Sequence, residues 1–429
     1  MLKLCNIFPL QRDAVYIIMD AIGRDCVPYY IGESISVILQ IALFLIGIFY
    51  LGVGLFSLFP AREKSGAENR FRFAVVIPAH NEARVLPGLL TSLKNQDYPT
   101  ECFSVFVMAD NCTDQTARIA QRFGAIPLFR KTGSSSNKGA ALADAFSQIM
   151  ESGDFDAFAV FDADNHADSR FLTEINDAMQ RGAFAVQGYI DAKNFQNSWV
   201  SCAYAIWYWI SNRVLQMGFD RLGLGCSLAG TGFALTKELL CEIPWETDSL
   251  AEDAEYTLKL ELAGKKVAYA QKAVAYDEKP SSFSASMMQR VRWAQGITQV
   301  QRDWGGKLLC RGKLGVFLRF WSNLLMPLCF MLFLVMDVFA VLQLCGLTDV
   351  RFISLWIHPF PFILLNFYLL GTLFIVLIGL IQDKKWNRKV WLNVFGFLLY
   401  LVSWIPIGML GALRHTKKNW YHTEHKPDM

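Results

Sequence analysis

The stretch AFAVFDAD, residues 157–164, joins a continuous apolar run to two carboxylates that stand two residues apart. A short apolar run bounded by polar residues predicts a buried strand. Asp162 and Asp164 then lie at a turn directly after the strand, where their oxygens suit Mg²⁺ or Mn²⁺ together with phosphate groups. A solvated acidic turn is the simpler alternative, and the buried strand before the pair favours the ligand site.

Strands and helices alternate on both sides of this stretch. The patterns predict strands at Phe73–Pro78, Phe103–Ala109, Ala125–Phe129 and Phe155–Phe161, and helices at Glu82–Leu93, Thr113–Phe123 and Gly139–Met150. This alternation indicates an open α/β sheet, whose ligands bind beyond the carboxyl ends of the strands. We therefore expect Glu82, Asp110 and the acidic pair to meet in one cleft. A cation there would offset the mutual repulsion of the carboxylates.

Two further positions suit an anionic ligand or proton transfer. Lys138 and Gly139 open a predicted helix, and a helix N-terminus with a lysine is a ready phosphate contact; a glycine that merely permits tight packing is the alternative. Asp253 stands at the start of the helical run 254–262, where the helix N-terminus helps to keep a carboxylate ionised. A simple helix cap is the alternative for Asp253, and the two roles are compatible.

The sequence QRVRW, residues 289–293, predicts a helix with a functional face. Gln289, Arg292 and Trp293 follow the spacing i, i+3, i+4 and therefore lie on one side. A guanidinium binds a diphosphate through two parallel hydrogen bonds, and a flat indole offers a stacking surface. Two methionines precede the motif, which indicates an amphipathic helix along a membrane.

Composition excludes some classes of protein. Of the 429 residues, 53% are hydrophobic, and 41 basic residues nearly balance 38 acidic ones. The balance predicts no nucleic-acid partner. The hydrophobic content is too high for an ordinary soluble protein and the charge too high for a chain wholly in lipid, so a mixed architecture is expected. The ten cysteines form no CxxC pair, as expected for reduced thiols.

Four apolar runs are long enough to cross a bilayer, which takes about 20 residues. They are Ile35–Phe59, Trp321–Leu344, Phe362–Ile381 and Val390–Leu413. Basic residues follow the first run, which predicts that the chain after Phe59 is cytosolic. Three C-terminal spans would put the basic tail outside, whereas a re-entrant segment near residues 358–361 would restore a cytosolic tail. Asp337 either faces a channel or a neighbouring helix, or lies near the interface.

These patterns divide the chain into six segments. They are an N-terminal segment with room for an interfacial helix (1–34), a transmembrane helix (35–59), a cytosolic α/β domain (60–280), interfacial helices (281–320), three transmembrane segments (321–413) and a polar tail (414–429). A helix predicted at Ser198–Met217 carries three tryptophans and two tyrosines. That aromatic density is typical of a lipid headgroup boundary, and a buried core helix is the alternative.

The motifs together resemble those of the family 2 glycosyltransferases, within them the membrane-embedded processive branch that includes cellulose, chitin, hyaluronan and poly-N-acetylglucosamine synthases. The resemblance rests on Pro78-Ala79-His80-Asn81-Glu82, Ala109-Asp110-Asn111-Cys112-Thr113-Asp114, Asp162-Ala163-Asp164-Asn165, Ala251-Glu252-Asp253 and Gln289-Arg290-Val291-Arg292-Trp293. It implies that residues 60–280 form a GT-A domain, a Rossmann-like mixed α/β sheet, joined to an α-helical transmembrane region.

The resemblance also implies a role for each motif residue. The donor-binding residues would be Ala79, Glu82, Asp110, Lys138, Asp162, Gln289 and Arg292. The acceptor-binding residues would be Gly230, Thr231, Gly232, Glu252 and Trp293. Asp162 and Asp164 would hold a divalent metal, Mg²⁺ or Mn²⁺, and Asp253 would be the catalytic base of an inverting transfer from a UDP-sugar.

The expected activity is elongation of a polysaccharide from a UDP-sugar at the cytosolic face of an integral membrane protein, in the plasma membrane of a prokaryote. Transfer of one sugar to a lipid acceptor is the alternative, and a nucleotide-sugar sensor without turnover is a third hypothesis. Ala251 replaces the threonine usual in the family. Ala254 replaces the arginine of chitin and hyaluronan synthases, which favours the glucan and poly-N-acetylglucosamine side. With few spans, export would need membrane lipids, an additional subunit or a second copy of the chain.

Overall fold

The computed structural model describes residues 41, 44–59, 70–130, 137–321, 335, 338, 341, 342, 345–347 and 359–414. The chain divides into two compact units, one comprising Met1–Leu51 with Leu328–Leu373 and the other Gly52–Pro327 with Phe374–Met429. The predicted N-terminal segment 1–34, Asp337 and the tail after residue 414 lie outside the described residues. The six segment bounds stay predictions.

One mixed sheet of eight strands forms the core of the second unit. Its strands are β1 (Phe73–Ala79), β2 (Phe103–Ala109), β3 (Ile126–Phe129), β4 (Ala157–Val160), β5 (His166–Ala167), β6 (Ala185–Ala192), β7 (Phe233–Thr236) and β8 (Val267–Asp277). Their order across the sheet is β3-β2-β1-β4-β7-β6-β8-β5. The first four strands in this order run parallel, whereas β7 is antiparallel to both β4 and β6. The predicted mixed α/β sheet is confirmed.

Helices cover both faces of this sheet. The helices include α1 (Phe44–Ser57), α2 (Leu86–Lys94), α3 (Thr116–Arg122), α4 (Lys138–Ser152), α5 (Phe171–Gln180), α6 (Trp199–Ile210), α7 (Gly218–Arg221), α8 (Lys237–Glu242), α9 (Glu252–Leu262), α10 (Phe283–Cys310), α11 (Pro359–Gln382), α12 (Arg388–Leu392) and α13 (Val394–Leu413). Alternate residues of β1 pack against α2 and α5 on one face and against α4 and α9 on the other. Because both faces are covered, the central strands are continuous apolar runs.

Two helices begin later than the apolar pattern predicts. α2 begins at Leu86 rather than Glu82, directly before a proline that favours a first helical turn. α3 begins at Thr116 rather than Thr113. The Thr113 backbone N–H instead donates to Asn81 Oδ1 at 2.8 Å. This bond ties the residues after β2 to those after β1.

The aromatic helix α6 is a core helix. Of its rings, Tyr204 is 0% exposed and Trp209 is 2% exposed, and Trp199 alone is exposed, at 40%. The headgroup-boundary prediction for this helix is therefore wrong, and the buried alternative is correct. The aromatic side chains serve a protein interface, since α6 packs against α10 and α13. A π-helix, Ser211–Met217, continues α6.

One described helix is long and apolar enough to cross a membrane, α13 (Val394–Leu413). Within the two other predicted spans, the apolar helical segments whose side chains are described are shorter, Phe44–Ser57 in α1 and Leu373–Gln382 in α11. Most of the run 321–344 lies outside the described residues. α11 begins at Pro359, so both prolines of the predicted break stand in its first turn, where proline is tolerated.

Candidate active site

A cavity of about 360 Å³ lies at the carboxyl ends of β1, β2 and β4. It is lined by nearly all of the predicted site residues, namely Ala79, Glu82, Asp110, Lys138, Asp162, Asp164, Gly230, Thr231, Glu252, Asp253, Gln289, Arg292 and Trp293. Gly232 is the exception. Its N–H donates to Val160 O at 2.9 Å and its carbonyl accepts from Gly188 N at 2.8 Å, so its backbone belongs to the sheet. The acids that follow separate strands therefore share one cavity.

Hydrogen bonds from the backbone N–H of Asp162 hold the turn that follows β4. The Asp162 N–H donates to Thr231 Oγ1 at 3.0 Å and to Asn165 Oδ1 at 3.2 Å. The Thr231 hydroxyl also donates to Asn165. Thr231, predicted to bind the acceptor, thus anchors the acidic turn. The Asp162 side chain keeps 36% of its surface exposed to the cavity.

Lys138 joins the acidic turn to α9. Its Nζ lies 2.5 Å from Asp162 Oδ1 and 3.8 Å from Glu252 Oε1, and it donates to Gly230 O at 2.7 Å. Burial alone would lower the pKa of Lys138, but the carboxylates of Asp162 and Glu252 raise it above its ordinary value. A fixed, charged ammonium therefore stands among the acids, which suits an anionic group entering the cavity.

Gly139, next to this lysine, serves close packing. A Cβ at this position would lie 2.5 Å from Thr247 Oγ1 and 3.3 Å from Glu252 Cβ. The Asn137 side chain caps α4 by accepting from the Gly139 N–H at 2.9 Å. The glycine thus lets the N-terminus of α4, with Lys138, approach α9.

Asp164 is buried beside other carboxylates. Burial, then the neighbouring Asp277 and Asp162, raises the pKa of Asp164 well above its usual range. Asn165 Nδ2 bridges the pair, donating to Asp164 Oδ1 at 3.2 Å and to Asp277 Oδ1 at 2.9 Å. A divalent cation would relieve this repulsion, so the oxygen donors fit Mg²⁺ or Mn²⁺. Within the described ranges, no three His, Cys, Asp or Glu side chains form a complete metal site, so other ligands would have to come from a bound molecule.

Asp110 lies at the other end of the acidic set, and its carboxylate is only 5% exposed. Arg130 Nη1 donates to both of its oxygens, at 3.2 and 3.3 Å. Asn111 Nδ2 and the Asn137 N–H also donate to it, at 3.0 and 3.3 Å. The carboxylate is therefore held rigid, and a ligand N–H at this position would share an oxygen with one of these donors.

Asp253 stands in the first turn of α9, and Ala251 occupies the cap position, so the helix-cap alternative for Asp253 is wrong. Burial and the adjacent Glu252 raise the pKa of Asp253 to about 7, although the Ala254 N–H, 2.8 Å from Oδ1, and Lys138 act against the shift. A carboxyl with a pKa near the working pH is a suitable proton acceptor.

Gly230 presents its backbone to this carboxylate. Its φ is +80°, and a Cβ there would lie 3.4 Å from Asp253 Oδ2 and 3.7 Å from Lys138 Nζ. A side chain at residue 230 would thus stand between the two charged groups. The glycine keeps open the space in which an acceptor would reach Asp253.

Gly230→Ala is expected to lower the unfolding free energy by about 1–2 kcal/mol, the strain of a left-handed residue, and to reduce turnover as well. Gly264→Ala is the matched control, because Gly264 has φ +79° and nothing within 4 Å of its added Cβ. Thermal denaturation should show an equal loss of unfolding free energy in both variants, whereas only Gly230→Ala should lose activity. Equal activities would contradict the assignment of Gly230 to the site.

The helix α10 forms another wall of the cavity, and its three predicted motif side chains all line it. The Trp293 ring meets Tyr204 and Tyr208 edge-on, with centroids 6.1 and 6.5 Å apart. A Cβ on Gly296 would lie 2.6 Å from the Ala251 backbone nitrogen. α10 therefore packs directly on the segment that carries Asp253.

Sequence reasoning missed three groups near the site. Asp277 ends β8, and an acid after an alternating strand was the available signal. Arg130 follows β3 at the same edge of the sheet as Asp110, a position that the strand pattern also indicated. No local sequence pattern indicates a role for Tyr208, which lines the cavity. Its ring centroid lies 3.2 Å from Lys279 Nζ. That ammonium also lies 2.6 Å from Asp277 Oδ2.

Curated proteins similar to the chain include two kinds of synthase. It is 25% identical over 246 residues to a beta-monoglucosyldiacylglycerol synthase of Nostoc, covering 55% of this chain and 51% of that protein. It is 21% identical over 345 residues to the poly-beta-1,6-N-acetyl-D-glucosamine synthase of Staphylococcus epidermidis, covering 77% and 78% respectively. The chain spans about half the length of most curated relatives it matches.

A solved structure supports the fold. The mannosyltransferase PcManGT of Pyrobaculum calidifontis, in complex with GDP-Man and Mn²⁺, superposes with a TM-score of 0.55 at 18% identity, over 83% of this chain and 99% of that one. The mixed sheet is accordingly of the GT-A type. The family described as "Glycosyltransferase like family 2" matches residues 70–296, more than half of the chain. The protein therefore belongs to glycosyltransferase family 2.

Proposed function

We propose that the protein transfers a sugar from a UDP-sugar to an acceptor hydroxyl with inversion at the anomeric carbon. The observation that carries this proposal is the position of Asp253, with its raised pKa, in the same cavity as Lys138 and the Asp162/Asp164 pair. Such a transfer requires a group that accepts the proton of the acceptor hydroxyl and charged groups that stabilise the departing diphosphate.

The donor occupies the part of the cavity beyond β1 and β2. Ala79, Glu82 and Asp110 hold the uridine in this proposal, and Lys138 and Arg292 contact the diphosphate oxygens. Both are cationic, and both line the cavity. Asp162 and Asp164 would hold Mg²⁺ or Mn²⁺, which when bound neutralises charge on the departing diphosphate.

Asp253 accepts the proton of the acceptor hydroxyl as that oxygen bonds to the anomeric carbon. The bond from the anomeric carbon to the diphosphate breaks in the same step, and UDP leaves with the electron pair. Glu252 and Trp293 orient the acceptor, and Gly230 leaves room for it. The acceptor oxygen attacks the anomeric carbon on the face opposite the leaving group, which inverts the configuration in one step. Such a transfer needs only one carboxylate, the base Asp253.

The activity is expected to depend on pH through Asp253. Only its ionised form accepts a proton, so kcat/KM should fall about tenfold per pH unit below the pKa, which is about 7. The Glu252 carboxylate helps to raise that pKa. Glu252→Gln should therefore move the midpoint of the kcat/KM profile to lower pH, whatever it does to the maximal rate. Coincident midpoints for the two proteins would contradict this role of Glu252.

For the acceptor, we propose a growing glycan, so that the protein elongates a polysaccharide. The cavity lining includes the aromatic side chains Trp207, Tyr208, Trp293 and Trp404, and flat rings stack well on sugar rings. Transfer of one sugar to a lipid is the second candidate. The named activity of the Nostoc relative favours it, as do the apolar residues Leu215 and Ile297 in the cavity lining.

The test is to incubate the purified protein with a panel of nucleotide sugars, Mg²⁺ or Mn²⁺, and either an oligosaccharide or diacylglycerol. The panel includes GDP-mannose beside UDP-sugars, and UDP release and product length are recorded. Products of many sugars support elongation, whereas a lipid that keeps one sugar supports the second candidate. Tight UDP binding without any turnover would instead support a sensor and reject both transfers.

We also propose that the protein is integral to a membrane, with the GT-A domain in the cytosol. Several large apolar side chains of α13 are exposed, among them Phe395 at 73% and Met409 at 63%. Exposed large apolar side chains along one helix are typical of contact with lipid. Between α11 and α13, exposed Trp386 and Trp391 alternate with exposed Lys384 and Arg388, as expected near headgroups. Extraction by detergent but not by carbonate from membranes tests this location.

A further inference from the structure

The Tyr204 hydroxyl, on α6, contacts the Gln289 side chain on α10. Its oxygen lies 3.0 Å from Gln289 Oε1 and 3.3 Å from the backbone carbonyl of Ser286. Gln289 lines the cavity and is only half-buried, whereas Tyr204 is 0% exposed. A buried hydroxyl therefore contacts a side chain that lines the cavity.

A phenol carries one proton, and a carbonyl oxygen can only accept it. The hydroxyl donates along the shorter contact, to Gln289 Oε1. The other polar group of the Gln289 side chain is then its amide NH₂. An NH₂ group is a donor, and the atoms that a nucleotide sugar presents at its diphosphate are acceptors. The opposite orientation would offer the cavity a carbonyl oxygen that repels a diphosphate.

We propose that Tyr204 is a positioning residue that fixes the Gln289 amide with its NH₂ group toward the cavity, where it donates to the diphosphate of the donor. This inference rests on the proposed function, because it assumes that a nucleotide sugar occupies the cavity. It gives Gln289 a defined polarity that the motif alone does not specify.

The surroundings of Tyr204 make this contact rigid. Its ring meets the ring of Tyr400 at 5.0 Å and that of Trp293 at 6.1 Å, both edge-on. Arg290, 0% exposed, lies 4.3 Å from the Tyr400 ring and donates to the Tyr400 carbonyl at 3.2 Å and to Ser403 Oγ at 2.8 Å. These contacts bind α6, α10 and α13 together behind the site, so the hydroxyl has little freedom to move away.

Burial also keeps the hydroxyl a donor. It raises the pKa of Tyr204 well above its ordinary value, with Tyr400 adding to the shift. The phenol therefore retains its proton at neutral pH. The Tyr204–Gln289 contact is expected to be independent of pH, unlike the function of Asp253.

The experiment compares Tyr204→Phe with Tyr400→Phe. Both remove one buried hydroxyl from the same aromatic cluster, but among the described contacts the hydroxyl that meets Gln289 is that of Tyr204, and Tyr400 does not line the cavity. Tyr204→Phe should raise KM for the UDP-sugar about tenfold, the loss of a hydrogen bond to a charged group, with kcat within about twofold of wild type. Tyr400→Phe should leave both constants unchanged.

A double-mutant cycle isolates the contact. Gln289→Glu keeps an oxygen that accepts from Tyr204 but has no NH₂ group, so it should raise the donor KM by itself. Adding Tyr204→Phe to Gln289→Glu should then cause no further rise. Two independent, additive increases would overturn the inference, and so would a Gln289→Glu variant with the KM of wild type.

The result also separates this inference from the proposed function. If the wild-type protein neither binds UDP nor releases it from any nucleotide sugar, the proposed function fails. If the wild type turns over while Tyr204→Phe and Tyr400→Phe behave alike, the transferase stands and the role of Tyr204 is rejected. A fall in kcat alone, with an unchanged donor KM, would likewise reject it.

Discussion

Asp253→Asn is expected to lower the rate of sugar transfer by about a thousandfold, within the range that general base catalysis contributes. The amide keeps the shape of the side chain but cannot take a proton at neutral pH. The asparagine Oδ1 can still accept from the Ala254 N–H, so binding of UDP should change little. Initial rates of UDP release and calorimetric titration with UDP measure the two quantities separately.

Asp248→Asn supplies the matched control for this change. Asp248 lies on the same segment before α9, but it does not line the cavity. The same chemical substitution there should leave the rate within about twofold of wild type, as changes away from a site usually do. Near-normal turnover of Asp253→Asn, or an equal loss in both variants, would reject Asp253 as the base.

Asp164→Ala is expected to weaken UDP binding at least about tenfold in the presence of Mn²⁺, because the variant lacks one anionic ligand of a shared cation. In EDTA the variant and the wild type should bind UDP alike, since this carboxylate acts on the nucleotide through the metal. The comparison of affinities with and without metal, by titration calorimetry, therefore reports on this carboxylate specifically.

Asp154→Ala is the corresponding control. The Asp154 side chain is 86% exposed and pairs with Arg72 and Lys237 on the surface. Its removal should alter neither affinity. An Asp164→Ala protein whose metal-dependent affinity equals that of wild type would exclude Asp164 from the metal site.

The fold was largely predictable because its central strands are simple apolar runs. The bounds of β2, Phe103–Ala109, match the prediction, since this mostly apolar run ends directly before the charged Asp110. The start of α3 was missed because Thr113, a good cap by type, is bound to Asn81, a contact across two strands that local sequence does not reveal. The aromatic residues of α6 were ambiguous because a ring in lipid and a ring in a protein core have the same composition.

The candidate site was predictable where its residues follow parallel strands. Glu82, Asp110 and the Asp162/Asp164 pair meet because the carboxyl ends of β1, β2 and β4 lie side by side. Asp277 and Tyr208 were missed because they arrive from β8 and α6, whose places in the sheet and around it depend on long-range packing. The opposite error occurred at Gly232, where a motif glycine pairs with the sheet instead of lining the cavity.

The most direct measurement is release of UDP from UDP-sugars by the purified protein while Mn²⁺ or Mg²⁺ is titrated from zero. Release is expected to be negligible in EDTA, to rise and saturate with the metal, and to disappear in both Asp164→Ala and Asp253→Asn. Release that is equally fast without metal, or that persists in both variants, would contradict the claim that these carboxylates act together in one cavity.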